Sequence, residues 1–424
     1  MNQALFRFIS ACPTAAHTAA ICAEMLAQKG YTRLEEGEKW TLTPGKGYFT
    51  LRGGSSLLAF RVPQGDFTGF MIAAAHGDSP AFSVKENSEL AGGSYVRLTT
   101  EKYGGMILSS WMDRPLSIAG RVGVKSEAGV EMRLADLKEP CAVMPNVAIH
   151  LNKNANSMTY DPAVDMLPLW RADGESGTFR ARVAACVDAA EEDILSTELY
   201  LYNPQAGMEW NDLIAAPRLD DLQCTFAAIS AFLDAKAGAG LPVFALFDHE
   251  EVGRATAQGA GSTFLRDVLS RICGDLSPEE LQVKLANSFL LSCDNAHALH
   301  PNHGEFSDKN HAPVLNGGVV IKHSSPRRYT TSAETAALVS LLCRQAGVPS
   351  QDYRNRADLP GGSTLGAIVL GQLSIPAADI GLAQLSMHSS FETAGAKDTA
   401  YLKTMLQLFF EKGLRVCGSS FTLV

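Results

Sequence analysis

Short apolar runs that end in acidic or imidazole side chains recur along this chain, and they constrain its fold more than any other feature. Residues 70–75, 242–247 and 289–293 are each apolar and short, as expected of buried strands. Runs with helical periodicity accompany them, at 14–30, 222–235, 332–346 and 396–413. Strands that alternate with helices form a mainly parallel sheet with helices on both faces. The sequence therefore predicts an α/β fold with a mainly parallel sheet flanked by helices.

The middle of the chain, residues 85–218, has a different composition. Its segments are short and rich in Val, Arg, Gly and turn residues, which is typical of closely spaced β-strands. Residues 145–152 (PNVAIHLN) alternate little in hydropathy, so a buried strand is expected at 147–151. Because this stretch lies between two parts with α/β character, we predict that it is a β-rich insertion. Residues 1–84 and 219–424 together then form the other domain.

Side chains of the types that bind metal ions stand where predicted strands end or helices begin. They are His76 and Asp78 after the first strand, Asp220 at a helix start, Glu250 and Glu251 after the second strand, Asp294 after the third, and His388 after the extended run 380–387. In open α/β folds, binding sites form at the carboxyl ends of the strands. We therefore expect these side chains to meet at one edge of the sheet.

The chemistry of this set favours a pair of divalent metal ions. Imidazole and carboxylate ligands without a thiolate suit Zn²⁺, Mn²⁺ or Co²⁺. The set is too large for one tetrahedral zinc, and it suits two ions about 3.5–4 Å apart that share one carboxylate. Adjacent glutamates at a strand end point in opposite directions, so one can bind metal while the other moves protons. Taken singly, each residue is more often a structural side chain or a helix cap, and the prediction depends on all of them together.

Composition argues against several other classes of function. Lys+Arg 36 against Asp+Glu 45 gives a net charge of −9, and no basic run suggests a nucleic-acid surface. No apolar stretch reaches the length of a membrane span, and the first residues lack the pattern of a signal peptide. The 9 cysteines are dispersed without a CxxC pair, as expected of reduced thiols. We therefore expect a cytoplasmic protein that binds neither nucleic acid nor membranes.

Several motifs in the chain resemble those of the aspartyl aminopeptidase family of metallopeptidases. They appear in the order of that family and spread over almost the whole sequence. They are residues 75–80 (AHGDSP), 217–221 (PRLDD), 248–253 (DHEEVG), 294–302 (DNAHALHPN) and 387–389 (MHS). No single motif is specific, whereas the combination is.

The resemblance implies a fold and an assembly. Proteins of this family have a catalytic domain of the zinc aminopeptidase type, similar to phosphorylase/hydrolase folds, which is interrupted by a β-rich dimerisation domain. The insertion predicted at 85–218 corresponds to that second domain. The resemblance further implies a homo-oligomer in which dimers assemble into a dodecamer.

The resemblance also assigns roles to the site residues. It implies two zinc ions per subunit, with Asp220 as the bridging carboxylate. His76 and Asp294 complete one metal site, and Glu251 and His388 complete the other. Asp78 is expected to hydrogen-bond the free nitrogen of the His76 imidazole and fix its tautomer. Glu250 is the expected general base, which takes a proton from the attacking water and delivers it to the leaving amine.

The implied reaction is removal of the N-terminal residue of a peptide, with preference for Asp or Glu. An acidic substrate side chain needs a cation in the pocket, and Lys322 is the first candidate, followed by Arg327 and Arg328. For each of these three, a solvated surface charge is the alternative. His150 matches the family segment whose histidine reaches into the active site of a partner subunit. A satisfied histidine within the sheet is the alternative for His150.

The chain departs from the family pattern in loops near the site. Gly77 stands where Thr is usual, Gly361 replaces a common Cys, and Ser390 with Phe391 replaces a common Ile-Arg pair. None of these changes removes a candidate ligand. Two other functions stay open: a related dimetal amidohydrolase, such as a deacylase or carboxypeptidase, and a non-catalytic assembly protein. The intact Glu250 and the full ligand set argue against the latter.

Overall fold

The computed structural model describes residues 1–172, 177–253, 256–359 and 361–424. Its helices are α1 (Asn2–Ala11), α2 (Ala15–Gln28), α3 (Phe179–Cys186), α4 (Leu219–Asp234), α5 (Phe264–Ile272), α6 (Pro278–Ala286), α7 (Ala333–Ala346), α8 (Leu365–Leu370) and α9 (Asp398–Phe410). Short 3₁₀ turns occupy Leu108–Trp111, Glu191–Asp193, Glu250–Val252 and Gly304–Phe306. None of the helices in these ranges is long and apolar enough to cross a membrane.

The strands of the first half of the chain are β1 (Thr32–Arg33), β2 (Gly47–Arg52), β3 (Ser56–Arg61), β4 (Phe70–His76), β5 (Ala81–Gly92), β6 (Tyr95–Tyr103), β7 (Ser117–Ser126), β8 (Gly129–Asp136), β9 (Leu169–Ala172), β10 (Ile194–Tyr202), β11 (Met208–Trp210) and β12 (Leu213–Ala216). Those of the second half are β13 (Leu241–Phe247), β14 (Phe289–Cys293), β15 (Ala296–His297), β16 (Val319–His323), β17 (Ser350–Arg354), β18 (Ala377–Gly381), β19 (Ala383–Leu385), β20 (Glu392–Gly395), β21 (Leu414–Cys417) and β22 (Ser420–Leu423).

A nine-stranded sheet forms the centre of the molecule, in the order β1-β2-β3-β13-β4-β14-β18-β16-β17. The pairs β13–β4, β4–β14 and β14–β18 at its middle are parallel. The three apolar runs are β4, β13 and β14, and all three strands are buried along their whole length, with β4 between the other two in the sheet. Strands covered on both faces are expected to be continuously apolar rather than alternating. The predicted α/β fold with a mainly parallel sheet is confirmed.

Two hydrophobic cores cover the faces of this sheet. On one face, Phe232 of α4 and Phe409 of α9 are fully buried in the same core as alternate residues of β4 and β13. On the other face, Phe264 of α5 and Leu365 of α8 are buried in a second core with the intervening residues. Each such side chain stabilises the fold by about 1.5–3 kcal/mol relative to exposure. The rigid strand ends that result are a suitable base for a site.

A separate antiparallel sheet of six strands has the order β8-β7-β10-β5-β6-β9. All its strands come from the stretch between the start of β5 and the end of β10, and it has its own core around Trp111, Leu116 and Leu199. The β-rich character expected of this part of the chain is therefore present. The division of the chain at 84/85 and 218/219 stays a prediction.

A third sheet, in the order β11-β12-β20-β19-β15, was not expected. The predicted extended run 380–387 is two strands, β18 in the central sheet and β19 in this one. Because β12 pairs with β20, residues just before α4 lie beside residues just after His388. The third sheet thus brings two distant parts of the chain to one place.

The buried strand predicted at 147–151 is absent from the structure. Residues 149–151 form a turn in which Leu151 N donates to Ala148 O at 2.8 Å. Val147, Ile149 and Leu151 are 49%, 62% and 82% exposed. The prediction was wrong because an apolar segment can also be left on the surface of a single chain, and hydropathy alone does not distinguish the two cases.

Candidate metal centre

The candidate ligands follow three neighbouring strands of the central sheet. His76 is the last residue of β4, which lies between β13 and β14. Glu250 and Glu251 lie in the 3₁₀ turn after β13, and Asp294 follows β14 directly. Parallel strands end at the same edge, so the sheet order alone places these side chains close together. The sequence expectation that they meet is confirmed by their distances.

Asp220 has the central position in the cluster. Its Oδ1 lies 3.4 Å from His76 Nε2, and its Oδ2 lies 3.5 Å from His388 Nε2. Asp294 Oδ1 is 3.9 Å from the same His76 nitrogen, whereas Glu251 Oε2 is 3.4 Å from the His388 nitrogen. The side chains therefore form two groups, one on each oxygen of the Asp220 carboxylate. Asp220 and its neighbour Asp221 have non-helical backbone angles at the start of α4 and are joined by a cis peptide bond.

The donor set fits zinc. Ligand atoms of His76, Asp220 and Glu251 lie within 4.8 Å of one another, as do those of Asp220, Asp221 and Asp294. Three of the carboxylate oxygens, Asp220 Oδ1, Asp221 Oδ1 and Glu251 Oε1, are buried without a hydrogen bond to another described residue. Buried carboxylates cost free energy unless they are paired or bind a metal, and imidazole with carboxylate is a zinc donor set.

Burial and repulsion by neighbouring carboxylates raise the pKa values of Glu250 and Glu251. Burial, followed by the nearby carboxylates, raises the pKa of Glu250 to about 8. The same causes raise the pKa of Glu251 well above its usual range. A cation at a distance of a few ångströms lowers such pKa values because it favours the ionised form. A bound cation is therefore what would let these groups act as carboxylates at neutral pH.

Asp78 connects more groups than the sequence predicted. Its Oδ1 lies 3.4 Å from His76 Nδ1, and its backbone oxygen lies 3.1 Å from the same nitrogen. Its carboxylate also accepts the backbone N–H of Glu250 at 3.3 Å and of Glu251 at 3.1 Å. Tyr103 of β6 donates its hydroxyl to Asp78 Oδ2 at 2.7 Å. Asp78 thus orients the His76 ring and fixes the turn that carries both glutamates.

Similarity to known proteins agrees with this geometry. The family description "Aminopeptidase I zinc metalloprotease (M18)" matches residues 8–410. The chain belongs to the M18 family of zinc aminopeptidases. A protein named "Probable M18 family aminopeptidase 2" from Clostridium acetobutylicum is 39% identical over 96% of this chain and 97% of its own length. Its counterpart from Stutzerimonas stutzeri is 40% identical over 97% and 98%.

Solved structures of M18 proteins have the same fold. The structure titled "Cryo-EM structure of the Ape4 and Nbr1 complex" gives a TM-score of 0.93 at 32% identity, over 96% of this chain and 85% of that one. The S. cerevisiae mApe1 dodecamer gives 0.84 at 26% identity, over 96% of both chains. This M18 chain is therefore a zinc metalloaminopeptidase, a peptide hydrolase.

Lys322, the predicted specificity residue of this M18 protein, is buried rather than solvated. It is 2% exposed, and its Nζ donates to Asn295 O at 2.7 Å and lies 3.2 Å from Asp294 Oδ2. Burial alone would lower the pKa of Lys322, but the charge of Asp294 raises it above its ordinary value. The surface-charge alternative is therefore wrong for Lys322, whereas Arg327 and Arg328 are exposed, as that alternative expects. The ammonium of Lys322 lies directly beside the candidate metal centre, in contact with Asp294.

His150 is the one predicted site residue that the structure does not bring to the metal centre. It is exposed, in the turn that includes residues 149–151. The alternative of a histidine satisfied within the sheet is wrong for the same reason as the predicted strand. His150 could contribute to catalysis only by reaching the active site of another subunit.

Glu392, at the start of β20, was missed by the sequence analysis. Its two carboxylate oxygens accept the backbone N–H groups of Asp220 at 3.1 Å and of His388 at 2.7 Å. It is 2% exposed, and burial followed by the Asp220 charge raises the pKa of its side chain to about 8. A lone glutamate four residues after His388 carries no signal of this role, because the contact depends on the pairing of β12 with β20.

Proposed function

We propose that this M18 chain is a dizinc aminopeptidase that removes N-terminal acidic residues from peptides, with Glu250 as the general base. The observation that carries the proposal is the division of the donors into two groups on the two oxygens of Asp220. His76 and Asp294 would hold one ion, and His388 and Glu251 the other. One carboxylate shared between two donor groups is the arrangement expected of a two-metal hydrolase.

Glu250 is the side chain of the cluster best placed to move protons. Its carboxylate makes no hydrogen bond to another described residue, while its backbone N–H is held by Asp78 Oδ1. Zinc, when bound, polarises the scissile carbonyl and lowers the pKa of water to about 7. Glu250 accepts the proton of the water that attacks the carbonyl and later donates it to the leaving amine. Asp78 keeps the glutamate turn and the His76 ring in position throughout.

The proposed preference for acidic N-terminal residues of the substrate rests on the positive charge of Lys322. An ammonium has three donors. Lys322 Nζ donates one of them to Asn295 O and forms an ion pair with Asp294 Oδ2. A substrate carboxylate would accept from a remaining donor. The ring of Tyr329 lies beside the ammonium, with Nζ 5.6 Å from its centroid, and helps to keep water away from the charge.

We also propose that the chain forms a homo-oligomer in which His150 reaches the active site of a partner. The solved mApe1 relative is named as a dodecamer. On this chain, the apolar side chains of Val147, Ile149 and Leu151 next to His150 are exposed, and a second subunit would cover them. His150 would then donate a hydrogen bond to the oxyanion that forms on the scissile carbonyl.

Zinc stoichiometry and substrate choice test the proposal together. The purified enzyme is stripped with a chelator, reconstituted with zinc and analysed for metal per chain. Initial rates are then measured on anilides of Asp, Glu, Ala and Leu and on an N-acyl aspartate. We expect two zinc ions per chain, faster cleavage of the Asp and Glu anilides, and no cleavage of the N-acyl compound. Full activity with one ion would refute the dizinc site, and equal rates on all anilides would refute the acidic preference.

A further inference from the structure

The loop that carries His388 has an unusual backbone. It connects β19 to β20, and both Ser386 (φ 57°) and His388 (φ 64°) lie in the left-handed region. Residues other than glycine rarely adopt these backbone angles, and they do so only where the surrounding structure stabilises them. Glu392 holds one side of the loop through the His388 N–H. The contacts on the other side come from the 3₁₀ turn Leu108–Trp111 between β6 and β7, from the residue before that turn, and from the residue after β10.

Ser390 provides most of those contacts. Its N–H donates to Ser110 Oγ at 2.9 Å, and its hydroxyl donates to Ser110 O. Its carbonyl accepts from Asn203 Nδ2 at 3.0 Å. The N–H, hydroxyl and carbonyl of Ser390 are thus all bonded to the region between the start of β5 and the residue after β10. Ile107 adds a fourth bond by donating its N–H to His388 O at 3.0 Å.

The bond from Asn203 is buried, and the two bonds to Ser110 are partly buried. Ser390 and Asn203 are each 4% exposed, whereas Ser110 is half-buried and Ile107 is exposed. Ser110 also donates to Ile107 O at 2.7 Å, so the two bonds to Ser390 and the bond from Ile107 belong to one rigid turn. If a buried hydrogen bond loses one partner, the other partner is left unsatisfied, which costs free energy. The bonds to Ser390 therefore favour this conformation of the loop over others.

We propose that Ser390 is a positioning residue for His388. Docked on Ser110 and Asn203, it sets the imidazole at its distances of 3.5 Å from Asp220 and 3.4 Å from Glu251. The zinc affinity of that half of the site then depends on a part of the chain that contributes no ligand to it. Groups that orient a ligand of a metal typically change its affinity by about 10–100-fold when they are removed. The inference rests on the proposed two-ion function.

The test measures zinc binding to the metal-free protein, by titration against a chelating indicator, for wild type, Ser110→Ala, Ser390→Ala and the double variant. We expect the double variant to weaken one of the two dissociation constants by about 10–100-fold and to leave the other within about threefold. The two single variants remove different hydrogen bonds, the one from the Ser390 N–H to Ser110 Oγ and the one from the Ser390 hydroxyl to Ser110 O, so each should weaken that constant less than the double variant does. Ser389→Ala is the matched control, since among the described residues the Ser389 hydroxyl bonds only the Phe391 N–H of its own loop.

Each outcome has one meaning. If both zinc constants are unchanged, or both weaken equally with a lower thermal midpoint of the metal-free protein, Ser390 does not position His388. If Ser110→Ala fails to fold, Ser390→Ala alone decides, since it removes only one hydroxyl. If wild type shows a single zinc site, the two-ion function is wrong, and Ser390 is then judged on that one site. Weakened zinc binding together with a normal kcat in excess zinc would support the proposal. If the variant had lost its structure in general, excess zinc would not restore its activity.

Discussion

At the scale of single residues, burial decides what the charged groups of the site can do. Glu250 and Glu251 are adjacent in sequence, yet only Glu251 lies within reach of the His388 nitrogen, at 3.4 Å. The Glu250 carboxylate makes no hydrogen bond to another residue that the structure describes, and burial raises its pKa to about 8. The turn directs two identical side chains to different places, which agrees with the different roles, a base and a ligand, that we propose for them.

Replacement of Glu250 tests this division. Glu250→Gln keeps the size of the side chain but cannot accept a proton. We expect zinc content and fold to be retained while kcat drops roughly 10²–10⁴-fold, the usual loss for a general acid–base. Zinc by elemental analysis and rates on an aspartyl anilide are the measurements. Normal turnover with full zinc would show that another group is the base. As a contrast, Asp220→Asn should lose both ions together, because both donor groups share that carboxylate.

Replacement of Lys322 tests the proposed specificity. Lys322→Ala removes the ammonium from Asp294 and from any acidic substrate. We expect kcat/KM for Asp and Glu anilides to fall by about 10–150-fold, equivalent to a charged contact of 1.5–3 kcal/mol, and to fall much less for Leu and Ala anilides. Zinc content is measured in parallel, because Lys322 also contacts the ligand Asp294. An equal loss on all substrates, with loss of zinc, would mean that Lys322 only supports the metal centre.

At the scale of elements, helix α2 makes the fold sensitive to acid. Burial lowers the pKa of its half-buried His17 to about 4; Asp136 opposes the shift and Arg218 adds to it. The unfolded chain has a histidine pKa near 6.5, so below that pH it binds the proton more tightly than the folded chain does. The contribution of neutral His17 to stability is therefore complete above about pH 6.5 and is lost, by up to about 3 kcal/mol, as the pH falls to about 4.

Chemical unfolding of wild type and His17→Gln at about pH 7.5 and about pH 5 checks this expectation. The wild type should lose more unfolding free energy on acidification than His17→Gln does, because glutamine does not titrate. Any loss of zinc at the lower pH affects both proteins alike and cancels in the comparison. Identical pH dependence in the two proteins would show that His17 is not held neutral by the fold.

At the scale of the whole molecule, the single chain leaves His150 and its apolar neighbours uncovered. Mixed oligomers test whether His150 acts across an interface. Glu250→Gln and His150→Ala chains should each be nearly inactive alone yet assembled. When they are refolded together, activity should recover to about a quarter of wild type if chains pair at random in a two-fold dimer with reciprocal sites.

The control for this experiment is a mixture of Glu250→Gln with Asp220→Asn. Both residues belong to the site of one chain, so no mixed dimer contains a complete site and no recovery is expected. Recovery in both mixtures would point to a general effect of refolding. No recovery in the first mixture, with mixed dimers shown to form, would exclude action of His150 in the partner site.

What the sequence by itself determined about this protein is local. Apolar runs such as 70–75 specify buried strands, and the residues that directly follow them, such as His76 and Asp294, are strand-end residues whatever the topology. The candidate ligand types, imidazole and carboxylate, already suit Zn²⁺, Mn²⁺ or Co²⁺. These properties depend only on neighbouring residues, so they could be predicted together with the α/β fold.

Only the tertiary structure decided which distant groups meet. Glu392 and Asp220 are 172 positions apart, and Ser390 and Ser110 are 280 apart. Such contacts follow from the order of strands and from the pairing of β12 with β20, which hydropathy does not encode. The burial of Lys322 and the exposure of Val147 were likewise beyond prediction, since both depend on which surfaces the folded chain covers. Local pattern therefore specified the candidate ligands, and packing specified which residues orient them.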